Sequence, residues 1–175
     1  MIPSLAQGSI SIIYTKLGDL KIIPTKLTVI FPIRYGIVTR LEWPRAILHL
    51  DMDAFFVNVH ILENPSDKGI PLAVGGKPGQ RGVIASASYE ARAKGVRSAM
   101  ASSKALKLCP ELKFVSSNRP MIRSCSAKVM EILARYGTLE KMSVDEAFVD
   151  LSLQKNPEAL VKTILKRIKL ETNLP

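Results

Sequence analysis

From Ala46 onward, β-type and helix-type segments alternate along the chain, and near the end two β-type segments lie back to back. AILHLD (Ala46–Asp51) is an apolar strand run ending in an acid, and AFFVNVHIL (Ala54–Leu62) is a helix stopped by Asn64-Pro65. PLAVGG (Pro71–Gly76) and GVIASAS (Gly82–Ser88) are two strands joined by a glycine-rich turn. YEARAKG (Tyr89–Gly95) and MASSKALKLCP (Met100–Pro110) are short helices ended by Gly95 and Pro110, and LKFVSS (Leu112–Ser117) is a strand. In the long helix Arg119–Gly137, Ile122, Cys125, Val129, Ile132 and Leu133 share one face. Leu139–Ser152 is a hairpin with Val144-Asp145-Glu146 at or near its turn. A last helix, Asn156–Glu171, has Asn156 as N-cap, Pro157 at N1, and Leu160, Ile164, Leu165 and Ile168 on its buried side. Alternation followed by an antiparallel hairpin predicts an α+β fold, a sheet with helices packed on it.

The first 45 residues differ. Ile10, Ile12 and Ile13, then Ile22 and Ile23, then Val29 to Ile33 form short β-prone runs broken by Gly18, Pro24 and Pro32. Three readings stay open: an added β-ribbon, a loose extension, or upstream sequence translated from a misplaced start. The stretch carries no recognisable chemistry, and its removal is expected to leave folding intact.

Composition excludes several classes. With 47% apolar and 23% charged residues in 175, the chain can bury a core. Its two cysteines, Cys109 and Cys125, rule out a disulfide framework and a cysteine zinc cluster. The uncharged run Met1–Thr15 is too short and polar to span a bilayer and lacks the layout of a secretory signal. A reduced, cytoplasmic protein with no membrane partner is expected. Lys+Arg 25 against Asp+Glu 15 gives net charge +10, which points to an acidic partner, most often nucleic acid.

Asp51-Met52-Asp53 closes a buried strand, at the sheet rim where ligands gather. Asp145-Glu146 places adjacent acids inside an apolar hairpin, a costly arrangement unless a cation neutralises them. If both strands are central in one sheet, Asp51, Asp145 and Glu146 converge. Three carboxylates without His or Cys suit Mg²⁺ or Mn²⁺, which usually also hold substrate phosphates. The plainer alternative is that these acids cap strand ends or pair with Lys and Arg. Asp-x-Asp after a strand also occurs in haloacid-dehalogenase-type phosphatases, but those carry Thr or Val where Phe55 stands here. Ser86, Tyr89 and Arg92 form a candidate phosphate clamp, with Tyr89 and Arg92 three apart on one helix face. Phe55-Phe56 sits just after the acids; one ring could wall a nucleotide sugar, although core packing is the expectation for Phe55. His49 and His60 are read as packing residues.

LHLDMDAFF (Leu48–Phe56), ASASYEARAKGVRSAM (Ala85–Met100), ALKLCPEL (Ala105–Leu112) and MSVDEAFVDLS (Met142–Ser152) resemble, in order and spacing, the Y-family translesion DNA polymerases, above all their DNA polymerase IV subgroup. The resemblance covers about Arg45 to Pro175. It implies a polymerase palm, a ferredoxin-like sheet with packed helices, here incomplete, built from 46–54 and 119–175. Residues 55–118 would be a small α/β fingers subdomain, and 1–45 an extension of unknown role. It also implies that Asp51, Asp145 and Glu146, with the Met52 carbonyl, hold two Mg²⁺ (or Mn²⁺) ions. Phe56 falls on the steric-gate position. Ser86, Tyr89 and Arg92, with the backbone N–H groups of Phe55 and Phe56, match the triphosphate contacts. Ser86 replaces a more usual Thr, and His60 a usual Glu.

The activity so implied is template-directed addition of deoxynucleotides to a primer 3′ end in lesion bypass and DNA repair. The implied partners are primer–template DNA, deoxynucleoside triphosphates and, through a C-terminal region beyond Pro175, a sliding clamp; the protein is expected to be a monomer. The sequence ends before the family's next palm strand, thumb and little finger, so weak DNA binding is expected. The alternatives are a catalytically inactive truncated fragment and a non-catalytic nucleotide- or DNA-binding module.

Overall fold

The computed structural model describes Ile10–Thr15 and residues 45–174. The β-prone runs at Ile22-Ile23 and Val29–Ile33 lie outside the described residues.

Four antiparallel strands form the main sheet: β1 (Ile10–Thr15), β2 (Arg45–Asp51), β6 (Thr138–Lys141) and β7 (Glu146–Asp150), in the order β1-β2-β7-β6. The acid-bearing strands β2 and β7 are therefore the two central ones. Alternation along β2 buries Ala46, Leu48 and Leu50, and along β7 it buries Ala147 and Val149. That face packs on α4 (Arg119–Ala134) and α5 (Pro157–Thr172) through Ile122, Val129, Leu133, Ile164 and Ile168. The opposite face carries His49, Asp51, Glu146 and Phe148, all half-buried. Both long helices start as their sequences predict: Asn118 and Asn156 side chains accept from the Met121 and Ala159 N–H groups, and each helix has Pro in its first turn. Leu165 departs from its expected place. It is 38% exposed, because Ile164, Ile168 and Thr172 take the inner line of α5.

The smaller sheet has the order β4-β3-β5, with β3 (Leu72–Gly75) antiparallel to β4 (Ile84–Ala87) and parallel to β5 (Lys113–Val115). Two short helices, α2 (Tyr89–Ala93) and α3 (Ser102–Leu108), join it, and Ala73, Ile84, Ala87, Ala91, Val96, Ala105 and Cys109 form its core. Helix α1 (Phe55–Glu63) ties the two units: Phe55 and Val59 belong to the main core, while Val57 packs with Leu72, Val74 and Val115. The α+β architecture is as expected. Among the described residues, no helix is long and apolar enough to cross a membrane.

Strand β1 pairs with β2 along its whole length, Ile10 opposite Leu50 through Thr15 opposite Arg45. A segment so paired supplies the hydrogen-bond partners of one edge of β2, which sets this pairing against the expectation that the N-terminal stretch can be removed with folding intact.

Candidate functional site

The main sheet delivers its acids to one end. Asp51 is the last residue of β2, directly opposite Glu146, the first residue of β7. Past Asp51 the Met52 N–H donates to the Asp145 carbonyl at 2.9 Å, which pins the strand end to the hairpin. The chain then turns sharply. Ala54 adopts φ 51°, an uncommon value for a residue with a Cβ, and its N–H is taken by Asp53 Oδ1 at 3.0 Å. The Asn58 amide donates to the Asp53 carbonyl at 3.0 Å, and α1 begins at Phe55. Ser143 Oγ donates to Asp145 Oδ1 at 2.6 Å and fixes that carboxylate from within the hairpin.

Glu146 has a partner that sequence reasoning missed. His49 Nε2 lies 2.8 Å from Glu146 Oε1, and the His49 ring stacks on Phe148 with centroids 4.5 Å apart. His49 is thus more than packing: β2 is extended, so His49 and Asp51 project from one face. That i, i+2 spacing was the signal available in the sequence.

Burial pushes the Asp51 carboxyl above its usual range. The neighbouring Asp145 and Glu146 charges raise it further, Asp53 adds to the rise, and His49 opposes it. Among the described residues, no three His, Cys, Asp or Glu side chains are gathered in a ready ligand cluster.

A cleft of about 170 Å³ opens between this strand end and the smaller sheet. Asp51, Met52 and Asp145 line one side, Phe55 and Phe56 the helix side, and Ser86 and Arg92 the far side. Asp53, part of the Asp51-Met52-Asp53 candidate, completes the wall with Ser98, Ala85 and Ala54, which the sequence did not single out for this place. Phe55 is buried in the main core, as expected. Phe56 is half-buried and touches both cores, its ring 6.0 Å from that of Phe55 and tilted by 51°.

Tyr89 and Arg92 meet over Asp53. Arg92 Nη1 donates to Asp53 Oδ1 at 2.6 Å, and its Nε donates to the Ala87 carbonyl at 3.0 Å. The Tyr89 hydroxyl donates to Asp53 Oδ2 at 3.1 Å, and the guanidinium lies 5.6 Å from the Tyr89 ring centroid. Burial, then the Asp53 charge, push the Tyr89 hydroxyl up to about 12, with Arg92 opposing. Ser88, adjacent to the clamp, is structural: it caps α2 and accepts from the Leu72 N–H.

His60 lies away from the cleft. Its Nε2 is 2.8 Å from Asp67 Oδ2, and Lys113 Nζ lies 2.7 Å from Asp67 Oδ1. The structural reading of His60 stands, with a partner the sequence did not reveal.

Residues 50–175 match the impB/mucB/samB family. The chain is 48% identical over 128 residues to a DNA polymerase IV of Akkermansia muciniphila, covering 73% of this chain and 35% of that protein. It is 46% identical over 126 residues to a DNA polymerase IV of Clostridium perfringens, covering 71% and 35%. The chain thus spans about a third of the length of these relatives. Among solved structures, the insertion ternary complex of Dbh DNA polymerase superposes with TM-score 0.68 at 30% identity, over 73% of this chain and 40% of that one. DinB from Sulfolobus solfataricus gives TM-score 0.68 at 30% identity, over 73% and 39%.

Proposed function

This chain is a member of the impB/mucB/samB family, and from that membership we propose that its cleft serves template-directed addition of deoxynucleotides to a primer 3′ end. The observation that carries the reading is the convergence of Asp51, Asp145, Phe56, Ser86 and Arg92 on one cleft. These residues come from five separate segments and combine acids, an aromatic wall and phosphate donors. Residues 46–54 and 119–175 act as palm and 55–118 as fingers, with primer–template DNA and a deoxynucleoside triphosphate as partners. The net charge of +10 supports a nucleic-acid partner.

The donor set fits a hard divalent cation, because every candidate donor is oxygen and burial, with the neighbouring Asp145 and Glu146 charges, disfavours the ionised Asp51 carboxylate in the absence of a counter-charge. Asp51, Asp145, Glu146 and the Met52 carbonyl would hold two Mg²⁺ (or Mn²⁺) ions. Bound there, the ions supply charge neutralisation at the primer 3′-oxygen and the triphosphate. The chain's own side chains do the rest. Arg92 offers its guanidinium N–H groups, and Ser86 and Tyr89 their hydroxyls, to phosphate oxygens. The Phe56 ring stands against the sugar and excludes a ribose 2′-hydroxyl by contact. His49, its ring stacked on Phe148, holds the Glu146 carboxylate. No side chain serves as a nucleophile; alignment and fixed charge lower the barrier.

Primer extension at low salt with Mg²⁺ or Mn²⁺ tests this, beside a Glu146→Ala control. Extension that disappears in the control is the expected result. No extension from folded protein that still binds nucleotide would favour a non-catalytic nucleotide-binding module.

A further inference from the structure

Asp53 has no part in the scheme above, yet two of the three donor side chains of the phosphate clamp, Tyr89 and Arg92, converge on it. Arg92 Nη1 gives one N–H to Asp53 Oδ1 at 2.6 Å, and Tyr89 gives its hydroxyl proton to Oδ2 at 3.1 Å. A phosphate oxygen only accepts hydrogen bonds. Tyrosine has a single O–H to donate, and Arg92 has already committed its Nε to the Ala87 carbonyl at 3.0 Å. Tyr89 therefore has no proton for a phosphate while Asp53 holds it.

We propose that Asp53 is a resident stand-in anion, occupying on Arg92 and Tyr89 the place that a phosphate group of the incoming nucleotide takes. The inference rests on the reading of the cleft as a nucleoside triphosphate site. The exchange is local. Arg92 stays anchored by Nε on Ala87 while Nη1 changes partner, and the Ala54 N–H, which donates to Asp53 Oδ1 at 3.0 Å in this structure, remains a partner for the released carboxylate. Both partners of the pair are within reach of solvent, Arg92 28% and Asp53 32% exposed, so an arriving anion meets the pair directly. A ligand must offer more than Asp53 already does. A polyphosphate, with several oxygens and more charge, displaces it more readily than a single phosphate, so Asp53 sets a threshold against small anions.

The test uses the whole 175-residue chain and inorganic tripolyphosphate in the presence of EDTA, with binding read by titration calorimetry. Asp53→Asn should bind tripolyphosphate at least about fivefold tighter than wild type, and orthophosphate detectably. Asp53→Ser, which keeps an oxygen for the Ala54 N–H, carries the same expectation should the Asn variant fold poorly. Adding Arg92→Gln should erase the gain. Equal or weaker binding in both Asp53 variants, as expected if Asp53 only aims Arg92, overturns the proposal, and so does a gain that survives Arg92→Gln. Mg²⁺-dependent dATP binding to wild type, measured in parallel, tests the cleft reading separately. Intact dATP binding without tightening in the variants overturns the stand-in alone. Tightened tripolyphosphate binding without dATP binding overturns the nucleotide reading and upholds the competition at Arg92.

Discussion

Asp51 stands directly opposite Glu146 in the antiparallel ladder between β2 and β7. Burial first, then the charges of Asp145 and of Glu146 across the ladder, push the Asp51 carboxyl above its usual range. At neutral pH the ionised Asp51 therefore weakens the cation-free fold. Asp51→Asn should raise the melting temperature in EDTA by about 1–3 °C, the scale that a fraction of a kcal/mol produces in a chain of this size. The same substitution should abolish Mn²⁺-dependent nucleotide binding. Thermal melting with and without Mn²⁺ reads both effects, and a lower melting point in EDTA would contradict the repulsion.

Phe56 touches both cores and lines the cleft, so its ring is held from two sides. Phe56→Ala should remove the wall against the sugar. Discrimination between dATP and ATP binding, measured with Mn²⁺, should fall at least about tenfold, mainly through tighter ATP binding. Unchanged discrimination would remove the gate role.

Asp67 sits away from the cleft between Lys113 and His60, and hydrogen bonds from those two hold its carboxyl below the usual value of 3.8. A depressed folded-state pKa means the ionised form stabilises the fold. That contribution is complete above pH 3.8 and is lost as pH falls below it toward the folded-state value. Asp67→Asn should lower the melting temperature at pH 6 and flatten its decline below pH 4. Melting curves from pH 6 to pH 2.5 would reveal a parallel, unflattened decline if Asp67 contributed nothing.

Strand β1 covers one edge of β2, the strand that carries Asp51. Removing residues 1–44 should lower the melting temperature, speed amide exchange at Ile47 and His49, whose backbone groups face β1, and promote association through the bare edge. Size-exclusion chromatography and hydrogen exchange check this. A monomer with unchanged exchange would show that the pairing contributes nothing to the fold.

Much of the framework was legible in the sequence because it is encoded locally. Alternation in Ala46–Asp51 selects the buried face of β2, and Asn118 and Asn156 with following prolines start α4 and α5 within a residue of the expected positions. Where local pattern stops deciding, the readings slipped. Leu165 fits the apolar stripe of α5, yet which residues of a wide stripe are covered depends on what packs there, and α5 turns Ile164 and Ile168 inward instead.

By itself, the sequence determined the element order, the α+β class and the chemical kinds of residue at the cleft, since periodicity, caps and side-chain chemistry need only near neighbours. Only the tertiary structure decided the partnerships. His49 with Glu146 joins residues 97 positions apart, and Arg92 with Asp53 joins residues 39 apart. The seat of β1 beside β2 was likewise settled by sheet pairing. Such contacts arise when sheets and helices close around shared cores, and a charge or a strand edge then takes whichever partner the packing brings within reach. No spacing along the chain encodes that choice.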